Sequence, residues 1–339
     1  MKSDPVPVLA AVAGNEALGL GVAISSKSGS MVYVPSAGAS MSTLVAVDRS
    51  GRERTLLTRT DRYAGPRWSP DGKRVLVYTD VPKPDVWMLD LASSTSTQLT
   101  RGSSAFRPAW SPDGSHVVYS TDEGAMVMPT DGSRPPSRVY KGGEPVGGAV
   151  DWTADGKWII KDGDFSGPPR SQKEDVYAIP ADGRGEMRAA VSGTGMDELG
   201  TVSPDSKWIA YNSDESERYK IYVRPFLAEG GKFLISDGGG IQPRWISNHE
   251  VAYLDENLML TVAELKIGSA VEVVKRSRLF SAVLLARRSP SNWTYDVSRD
   301  GKEFLFAKGV GASNVSQPTV VLHWAQEVAK KIREQGNAR

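Results

Sequence analysis

Four carboxylates in two segments are the residues in this sequence best suited to bind a metal. Asp162 and Asp164 lie in one segment, and Asp197 and Glu198 lie in the other. Calcium and other hard divalent cations prefer six to eight oxygen ligands, which carboxylates from adjacent loops can supply. A solvated acidic surface explains the same four residues without a metal, and the sequence favours that interpretation. We therefore expect that no cofactor is required, with calcium or another divalent cation as the alternative.

Residues for nucleophilic catalysis are scarce. The chain contains no cysteine and three histidines, His116, His249 and His323. A serine or threonine nucleophile needs a base beside it, but His116 and His249 fall next to predicted turns and His323 falls in a predicted strand. The sequence also lacks a Gly-x-Ser-x-Gly elbow, a phosphate-binding glycine loop and histidines at zinc spacing. These observations favour binding over covalent catalysis.

A repeated hairpin motif organises the chain and positions these residues. Residues 68–78 (WSPDGKRVLVY) reappear at 110–119 as WSPDGSHVVY, with weaker copies at 152–158, 202–211 and 297–304 and degenerate copies at 26–33 and 245–253. Each copy reads as a strand, a Pro-Asp-Gly turn and a second strand. The serine or threonine of successive copies stands at 26, 69, 111, 153, 203, 247 and 298, so copies recur every 42 to 51 residues. This spacing is typical of propeller blades.

The seven copies predict an all-β fold, a closed seven-bladed β-propeller of four-stranded blades that forms a single domain over residues 1–339. The first blade would comprise residues 22–57. The last copy is short of one strand, so we expect residues 5–12 to complete the last blade beside residues 319–324, closing the ring. Residues 325–335 are predicted to form a short C-terminal helix. A six-bladed propeller is the alternative if one degenerate copy is not a blade.

The residue before each repeat tryptophan, or its equivalent, predicts a channel lined with charge. Arg67 and Arg244 occupy this position in two copies, and Asp151 and Asp296 occupy it in two others. Opposite charges at equivalent positions predict ion pairs around the channel. Alternatively, the two arginines bind an anionic ligand that enters the channel, since a guanidinium group recognises a carboxylate bidentately.

Ligands are expected on the propeller face opposite the Pro-Asp-Gly turns, where the loops between blades meet. Irregular segments at 162–175, 281–292 and 308–318 depart from the repeat, and such loops often carry specificity. Residues 281–288 are apolar and then basic, so they suit a lid over the channel mouth or, equally, a strand extension packed on the preceding blade. The predicted binding residues on this face are Tyr63, Phe106, Arg107, Asp162, Asp164, Asp197, Glu198, Gln242, Trp293 and Tyr295.

Composition narrows the classes of partner. The chain has 41 Lys and Arg against 40 Asp and Glu, a formal net charge of +1, so it offers no overall field that attracts nucleic acid. No stretch approaches the roughly 20 apolar residues needed to span a bilayer, and the N-terminus lacks the apolar run of a signal peptide. We therefore expect a monomer that neither binds nucleic acid nor inserts into a membrane.

The repeat Trp-Ser-Pro-Asp-Gly-Lys resembles the WD-repeat-like motif of TolB-like propellers. Residues 213–226 (SDESERYKIYVRPF), the glycines at 230–231 and 238–240, and residues 242–245 (QPRW) are similar to the propellers fused to bacterial serine/threonine kinases. This resemblance covers the whole chain and implies a bacterial, extracytoplasmic or periplasmic sensor or binding module. No kinase glycine-rich loop precedes the propeller.

These observations predict a non-catalytic propeller that binds a protein or a small-molecule ligand at the face opposite the Pro-Asp-Gly turns. The alternative is a divalent-metal-dependent hydrolase, lactonase or lyase that acts at the channel mouth, because a carboxylate can serve as the base beside a bound cation.

Overall fold

The computed structural model describes residues 14–15, 19–20, 22–25, 30–33, 41–79, 83–142, 150–163, 174–268, 270–286, 288–310 and 319–321. The chain divides into two compact units. The larger unit is Met41–Val310, and the smaller unit combines Met1–Ser40 with Gly311–Arg339. The described residues form strands, turns and irregular segments and contain no helix.

The larger unit is a six-bladed β-propeller, in which every blade is an antiparallel sheet of four strands. From the innermost strand outward, blade 1 comprises Tyr63–Trp68, Arg74–Thr79, Asp85–Asp90 and Ser96–Gln98; blade 2 comprises Phe106–Trp110, His116–Thr121, Gly124–Pro129 and Ser137–Arg138; and blade 3 comprises Val150–Trp152, Trp158–Gly163, Asp175–Pro180 and Arg188–Val191. Blade 4 comprises Asp197–Val202, Trp208–Ser213, Lys220–Pro225 and Phe233–Leu234; blade 5 comprises Gly240–Ser247, Glu250–Asp255, Met259–Ile267 and Val271–Ser281; and blade 6 comprises Tyr295–Val297, Glu303–Gly309, Ser42–Asp48 and Glu53–Thr55.

Blade 6 closes the ring by joining the two ends of the larger unit. Its inner strands come from the C-terminal end, and its outer strands come from the N-terminal end. Ser42–Asp48 pairs with Glu303–Gly309 through seven residue pairs, from Ser42 opposite Gly309 to Asp48 opposite Glu303. This pairing leaves no blade edge open at the junction between chain ends, which is how a closed propeller avoids exposed sheet edges.

The prediction of seven blades is therefore wrong, and the six-bladed alternative is correct. The degenerate copy at 26–33 predicts the first hairpin of a blade, but its strands lie in the smaller unit. There Ser30–Tyr33 pairs with Val22–Ser25 on one side and with Thr319–Val321 on the other. The position beside Glu303–Gly309 that the sequence assigned to residues 319–324 is filled by Ser42–Asp48 instead.

The smaller unit contains this three-stranded sheet and a short hairpin in which Gly14–Asn15 pairs with Gly19–Leu20. The predicted closing strand at 5–12 and the predicted helix at 325–335 lie outside the described residues. No helix in the described part of the chain is long and apolar enough to cross a bilayer.

The repeated turn is held by its own serine and aspartate. In blade 1 the Ser69 hydroxyl donates a hydrogen bond of 2.6 Å to the Asp71 carboxylate, and Gly72 adopts a φ of 69° that favours glycine. Equivalent bonds recur in blades 2, 3, 4 and 6. In blade 2 the hydrogen bond from Ser111 is the largest of the effects that lower the pKa of Asp113 to about 2. The turn aspartates therefore have a structural role.

Candidate functional site

One residue from the innermost strand of each blade lines the channel. The six residues share the same register, each lying one position before the repeat tryptophan or the valine that replaces it: Arg67, Ala109, Asp151, Thr201, Arg244 and Asp296. The sequence identified all four charged members from this position alone. The six-fold arrangement places one of them in each of blades 1, 3, 5 and 6.

These four charged residues form a closed network of ion pairs. Asp151 contacts Arg67 at 2.5 Å and Arg244 at 2.9 Å. Asp296 lies 3.9 Å from Arg67 and 3.7 Å from Arg244, and it accepts a hydrogen bond of 2.8 Å from the backbone N–H of Trp68. Each arginine thus faces both aspartates, and the two positive charges balance the two negative charges. This is the ion-pair arrangement that the sequence favoured over an anion site.

Burial shapes the electrostatics of the network. It raises the pKa of Asp151 and of Asp296, and in both cases the Arg67 guanidinium opposes the increase. Two nitrogens of Arg244, Nε and Nη2, have no hydrogen-bond acceptor among the described residues. An anionic ligand for Arg67 and Arg244 therefore stays a prediction, and such a ligand would have to compete with two resident carboxylates.

Trp293 covers the charged network on the face opposite the turns. Its ring lies 3.9 Å from the Arg244 guanidinium carbon and 5.2 Å from that of Arg67, both in cation–π geometry. The indole N–H donates a hydrogen bond of 3.1 Å to the carbonyl oxygen of Pro243. Trp293 is therefore buried between the channel charges and the segment that lies above them.

That segment, residues 288–292, is here called the strap. The side chain of Gln242 donates a hydrogen bond of 2.8 Å to the Ser289 carbonyl, and Asn212 donates one of 3.3 Å to the Pro290 carbonyl. Arg107 hydrogen-bonds to the side chain of Asn292. The strap thus contacts blades 2, 4 and 5 and crosses the mouth of the channel.

The residues before the strap divide between core and surface. Ala282, Leu285 and Ala286 pack into the hydrophobic core of blades 5 and 6. Val283 and Leu284 between them are 51% and 59% exposed. The two interpretations of residues 281–288, as a lid and as a packed extension, are therefore both partly realised, because the core residues anchor a segment whose next part covers the mouth.

Residues with a positive φ, in the left-handed backbone region, recur where the innermost strands reach this face. Gly65, Arg107, Leu199 and Gln242 have φ values of 53°, 53°, 54° and 60°, and each lies at a bulge two positions before a channel residue. A non-glycine residue in this conformation costs on the order of 1 kcal/mol. The bulges re-aim the chain from the channel wall to the mouth. Only the glycine at 65 hinted at them in the sequence.

A buried acidic group lies beneath the strap, where blades 3 and 4 meet. Asp162, Asp197 and Glu198 are all buried, and the Asp162 carboxylate accepts a hydrogen bond of 2.7 Å from the Leu199 backbone N–H. Burial, reinforced by the nearby Asp162 charge, raises the pKa of Glu198 to about 8 although Ser291 hydrogen-bonds to it. Burial also raises the pKa of Asp197 to about 6. Glu198 therefore retains a proton near neutral pH and joins the strap to blade 4 through Ser291.

The structure limits how these carboxylates can hold a metal. Asp164 lies outside the described residues. Within the described ranges no three histidine, aspartate or glutamate residues lie close enough together to hold a metal ion. One oxygen of Asp197 and one of Glu198 have no hydrogen-bond partner in the described part of the chain. A divalent cation at this position stays a prediction.

Most of the predicted binding residues are covered. Tyr63, Gln242, Trp293 and Tyr295 are buried, and the Tyr295 hydroxyl donates a hydrogen bond of 2.8 Å to the Gln242 carbonyl. Of the predicted aromatics, Phe106 alone is partly exposed. A role of these residues in binding a ligand stays a prediction.

Sequence reasoning missed Asn212, which bonds to the strap, and Ser289 and Ser291, through which the strap bonds to Gln242 and Glu198. None of them stands out by charge or motif. Asn212 follows four aliphatic or aromatic residues in its strand, and its partners Gln242 and Pro290 lie 30 and 78 residues further along the chain.

The chain matches no family model and no curated protein. Its fold is that of TolB-like propellers. A candidate TolB from Agrobacterium tumefaciens superposes with a TM-score of 0.59 and 22% identity, covering 80% of this chain and 100% of that one. TolB from Acinetobacter baumannii gives a TM-score of 0.51 and 17% identity, covering 85% and 68%. An oligogalacturonate lyase from Vibrio parahaemolyticus gives 0.54 and 14%, covering 90% and 82%. At these identities the comparisons establish the fold alone.

Proposed function

We propose that this chain is a non-catalytic binding propeller that engages a protein or small-molecule ligand through the strap and its flanks. The observation that carries the proposal is the strap itself, which crosses the channel mouth and contacts three blades through side-chain hydrogen bonds. Such bonds contribute about 1 kcal/mol each, so the strap can rearrange around a partner at modest cost. Loops on a rigid scaffold are the usual place for recognition.

The channel below the strap supports a binding role. Its two arginines and two aspartates balance in charge, and Trp293 covers them. Because each carboxylate of this buried network faces both arginines, neither carboxylate is free to act as a base on a substrate. The resemblance to sensor-type bacterial propellers agrees with this role, and on that resemblance we propose an extracytoplasmic location and a monomeric state.

Val283 and Leu284 allow the proposal to be tested. The double substitution Val283→Asp, Leu284→Asp places two negative charges on the exposed apolar surface beside the strap. Val274→Asp is the matched control, because Val274 is 61% exposed on the outer strand of blade 5, away from the mouth. A partner captured from an extracytoplasmic extract should bind the wild type and the control but not the double variant. Equal loss with the control would place the interaction elsewhere.

Glu198 favours a second candidate function, a metal-dependent hydrolase, lactonase or lyase. A carboxyl group with a pKa of about 8 in a covered site can deliver a proton near neutral pH. Calorimetry with calcium, magnesium, manganese and zinc tests this candidate, with Glu198→Gln as the variant of matched shape. Tight stoichiometric binding by the wild type that is lost in the variant would overturn the non-catalytic proposal.

A further inference from the structure

A cavity of about 400 Å³ opens on the turn face, opposite the strap, at the junction between blades 6 and 1. Its wall includes apolar groups, Leu56, Leu91 and the Trp68 ring, and charged groups, Arg54, Lys73, Arg299 and Glu303. A volume of this size is within the range of small-molecule sites, which combine apolar walls with a few polar groups.

The cavity exists because this junction lacks a contact that other junctions make. A side-chain carbon placed on Gly114 of blade 2 would lie 3.6 Å from Pro70 of blade 1, and one placed on Gly156 of blade 3 would lie 3.9 Å from Pro112 of blade 2. At those junctions the turn proline of one blade thus packs against the turn glycine of the next. At Gly72 of blade 1, apart from its two chain neighbours, no described residue has an atom within 4 Å of that position.

The reason is a departure from the repeat in blade 6. Its turn reads Ser298-Arg299-Asp300-Gly301, so an arginine stands where blades 1, 2 and 4 have proline. The turn keeps its geometry, because the Gly301 N–H donates a hydrogen bond of 2.8 Å to the Ser298 carbonyl. The equivalent bond from Gly72 to Ser69 in blade 1 measures 2.9 Å. Arg299 therefore lacks the packing contact that proline makes and places a guanidinium group at the rim of the cavity.

Trp68 departs from the pattern at the same place. Where blade 2 follows blade 1, the indole N–H of Trp110 donates a hydrogen bond of 3.1 Å to the Arg67 carbonyl. Where blade 5 follows blade 4, the indole N–H of Trp245 donates one of 3.0 Å to the Thr201 carbonyl. The corresponding nitrogen of Trp68 is shielded from solvent and has no acceptor among the described residues. The hydrogen bond that fixes the indole ring to the preceding blade at those two junctions is therefore missing for Trp68.

The charges of the cavity select an anion. Glu303 is paired with Arg54 at 2.8 Å. Lys73 has no ion-pair partner in the described part of the chain, whereas Lys157 and Lys207 at the same turn position lie 3.8 Å from Asp155 and Asp205. The Arg299 guanidinium makes one long contact of 3.5 Å, to the Pro70 carbonyl. Two cations are thus available beside an apolar, aromatic surface.

We propose that this closure cavity binds a small organic carboxylate with a flat apolar ring. The ring would lie against Trp68, Leu56 and Leu91, and the carboxylate would accept hydrogen bonds from Arg299 and Lys73. The site is independent of the strap face, so it represents a second binding function on the same propeller.

The test uses the full chain and three probes, phenylacetate, indole-3-acetate and 2-naphthoate, with indole-3-acetamide as the neutral counterpart. Binding is followed by calorimetry and by the indole N–H resonances, with that of Trp68 assigned from Trp68→Phe. We expect saturable binding at millimolar or lower concentration, a shift of the Trp68 resonance and at least tenfold weaker binding of the amide.

Two substitutions connect binding to the residues. Arg299→Pro restores the repeat residue and Lys73→Gln removes the other cation, and each should weaken binding about tenfold, the loss expected for one charge-assisted hydrogen bond. Ala154→Pro and Lys157→Gln make the same changes at the turn of blade 3 and should leave binding unchanged. Absence of saturable binding by all three probes, equal binding of the amide, or equal effects of the blade 3 variants would overturn the proposal.

Discussion

Arg67 of blade 1 contacts Asp151 of blade 3 at 2.5 Å, and this ion pair passes across the channel position of blade 2. The contact is possible because blade 2 contributes Ala109 at that position, whose side chain leaves the space open. Thr201 of blade 4 is likewise small enough for Arg244 of blade 5 to reach Asp151 past it. Its hydroxyl also donates a hydrogen bond of 3.2 Å to Asp151. Two small residues thus let two arginines reach one aspartate.

Asp151→Asn tests the energetic role of this network. The substitution leaves two buried guanidinium groups facing one carboxylate, and removing one partner of a buried pair typically costs about 3 to 5 kcal/mol. We expect a decrease of about 3 kcal/mol in the free energy of unfolding in urea. Asp182→Asn, at an exposed turn, is the control and should change it by less than about 0.5 kcal/mol. A small effect for both would show that the network contributes little to stability.

Glu198 should make stability fall as pH rises. Its pKa is about 8 in the folded protein against 4.5 as the ordinary value, so the folded state holds the proton more tightly than the unfolded state. The stabilisation is therefore complete below about pH 4.5, decreases through neutral pH and is lost above about pH 8. Urea unfolding from pH 5 to 9 measures this slope, to which Asp197 adds in the same direction up to about pH 6.

Glu198→Gln is the corresponding variant. It keeps the shape of the neutral acid and cannot ionise, so the dependence of unfolding free energy on pH between 6 and 8 should flatten. Glu186→Gln, at an exposed position, should retain the wild-type slope. An unchanged slope in Glu198→Gln would assign the pH dependence to another group.

Gln242→Ala should release the strap. The Gln242 side chain donates to Ser289 and accepts from the N–H and hydroxyl of Thr294, so its removal leaves buried polar groups without partners. Each such group costs about 1 to 3 kcal/mol. Hydrogen exchange at residues 288–294 should become faster, while exchange in the strands of blades 1 and 2 should stay as in the wild type. Faster exchange throughout the propeller would indicate global destabilisation instead of local release.

The six-bladed closure makes a prediction about truncation. A chain of residues 41–310 contains every strand of the six blades and should unfold cooperatively with a Tm within a few degrees of the full chain. A chain that starts at residue 60 lacks the two outer strands of blade 6 and exposes the edge of Glu303–Gly309, so it should aggregate or melt far lower. Deletion of residues 1–12 should leave the melting of the propeller unchanged. A large loss on that deletion would contradict the closure described here.

The repeat in the amino-acid sequence is enough to predict the all-β propeller fold, the turn chemistry and the channel positions. Each repeat is a hairpin whose turn contacts, such as Ser69 with Asp71, join residues close in the chain. The identical register of each copy places its channel residue at the same point, which is why Arg67, Asp151, Arg244 and Asp296 could be grouped without coordinates. Local hydrogen bonding and a period of two along a strand are sufficient for these conclusions.

Contacts between distant segments set the number of blades, the cover over the mouth and the cavity at the closure, and these could not be predicted from the repeat. The degenerate copy at 26–33 has the spacing of a blade, yet its strands pair with each other outside the ring. The strand that pairs with Glu303–Gly309 is Ser42–Asp48, a segment far away in the chain. The burial of Glu198 and the free space around Gly72 likewise arise from neighbours far along the chain. Such features depend on which distant segments come into contact in the folded chain, and the repeat pattern does not specify those contacts.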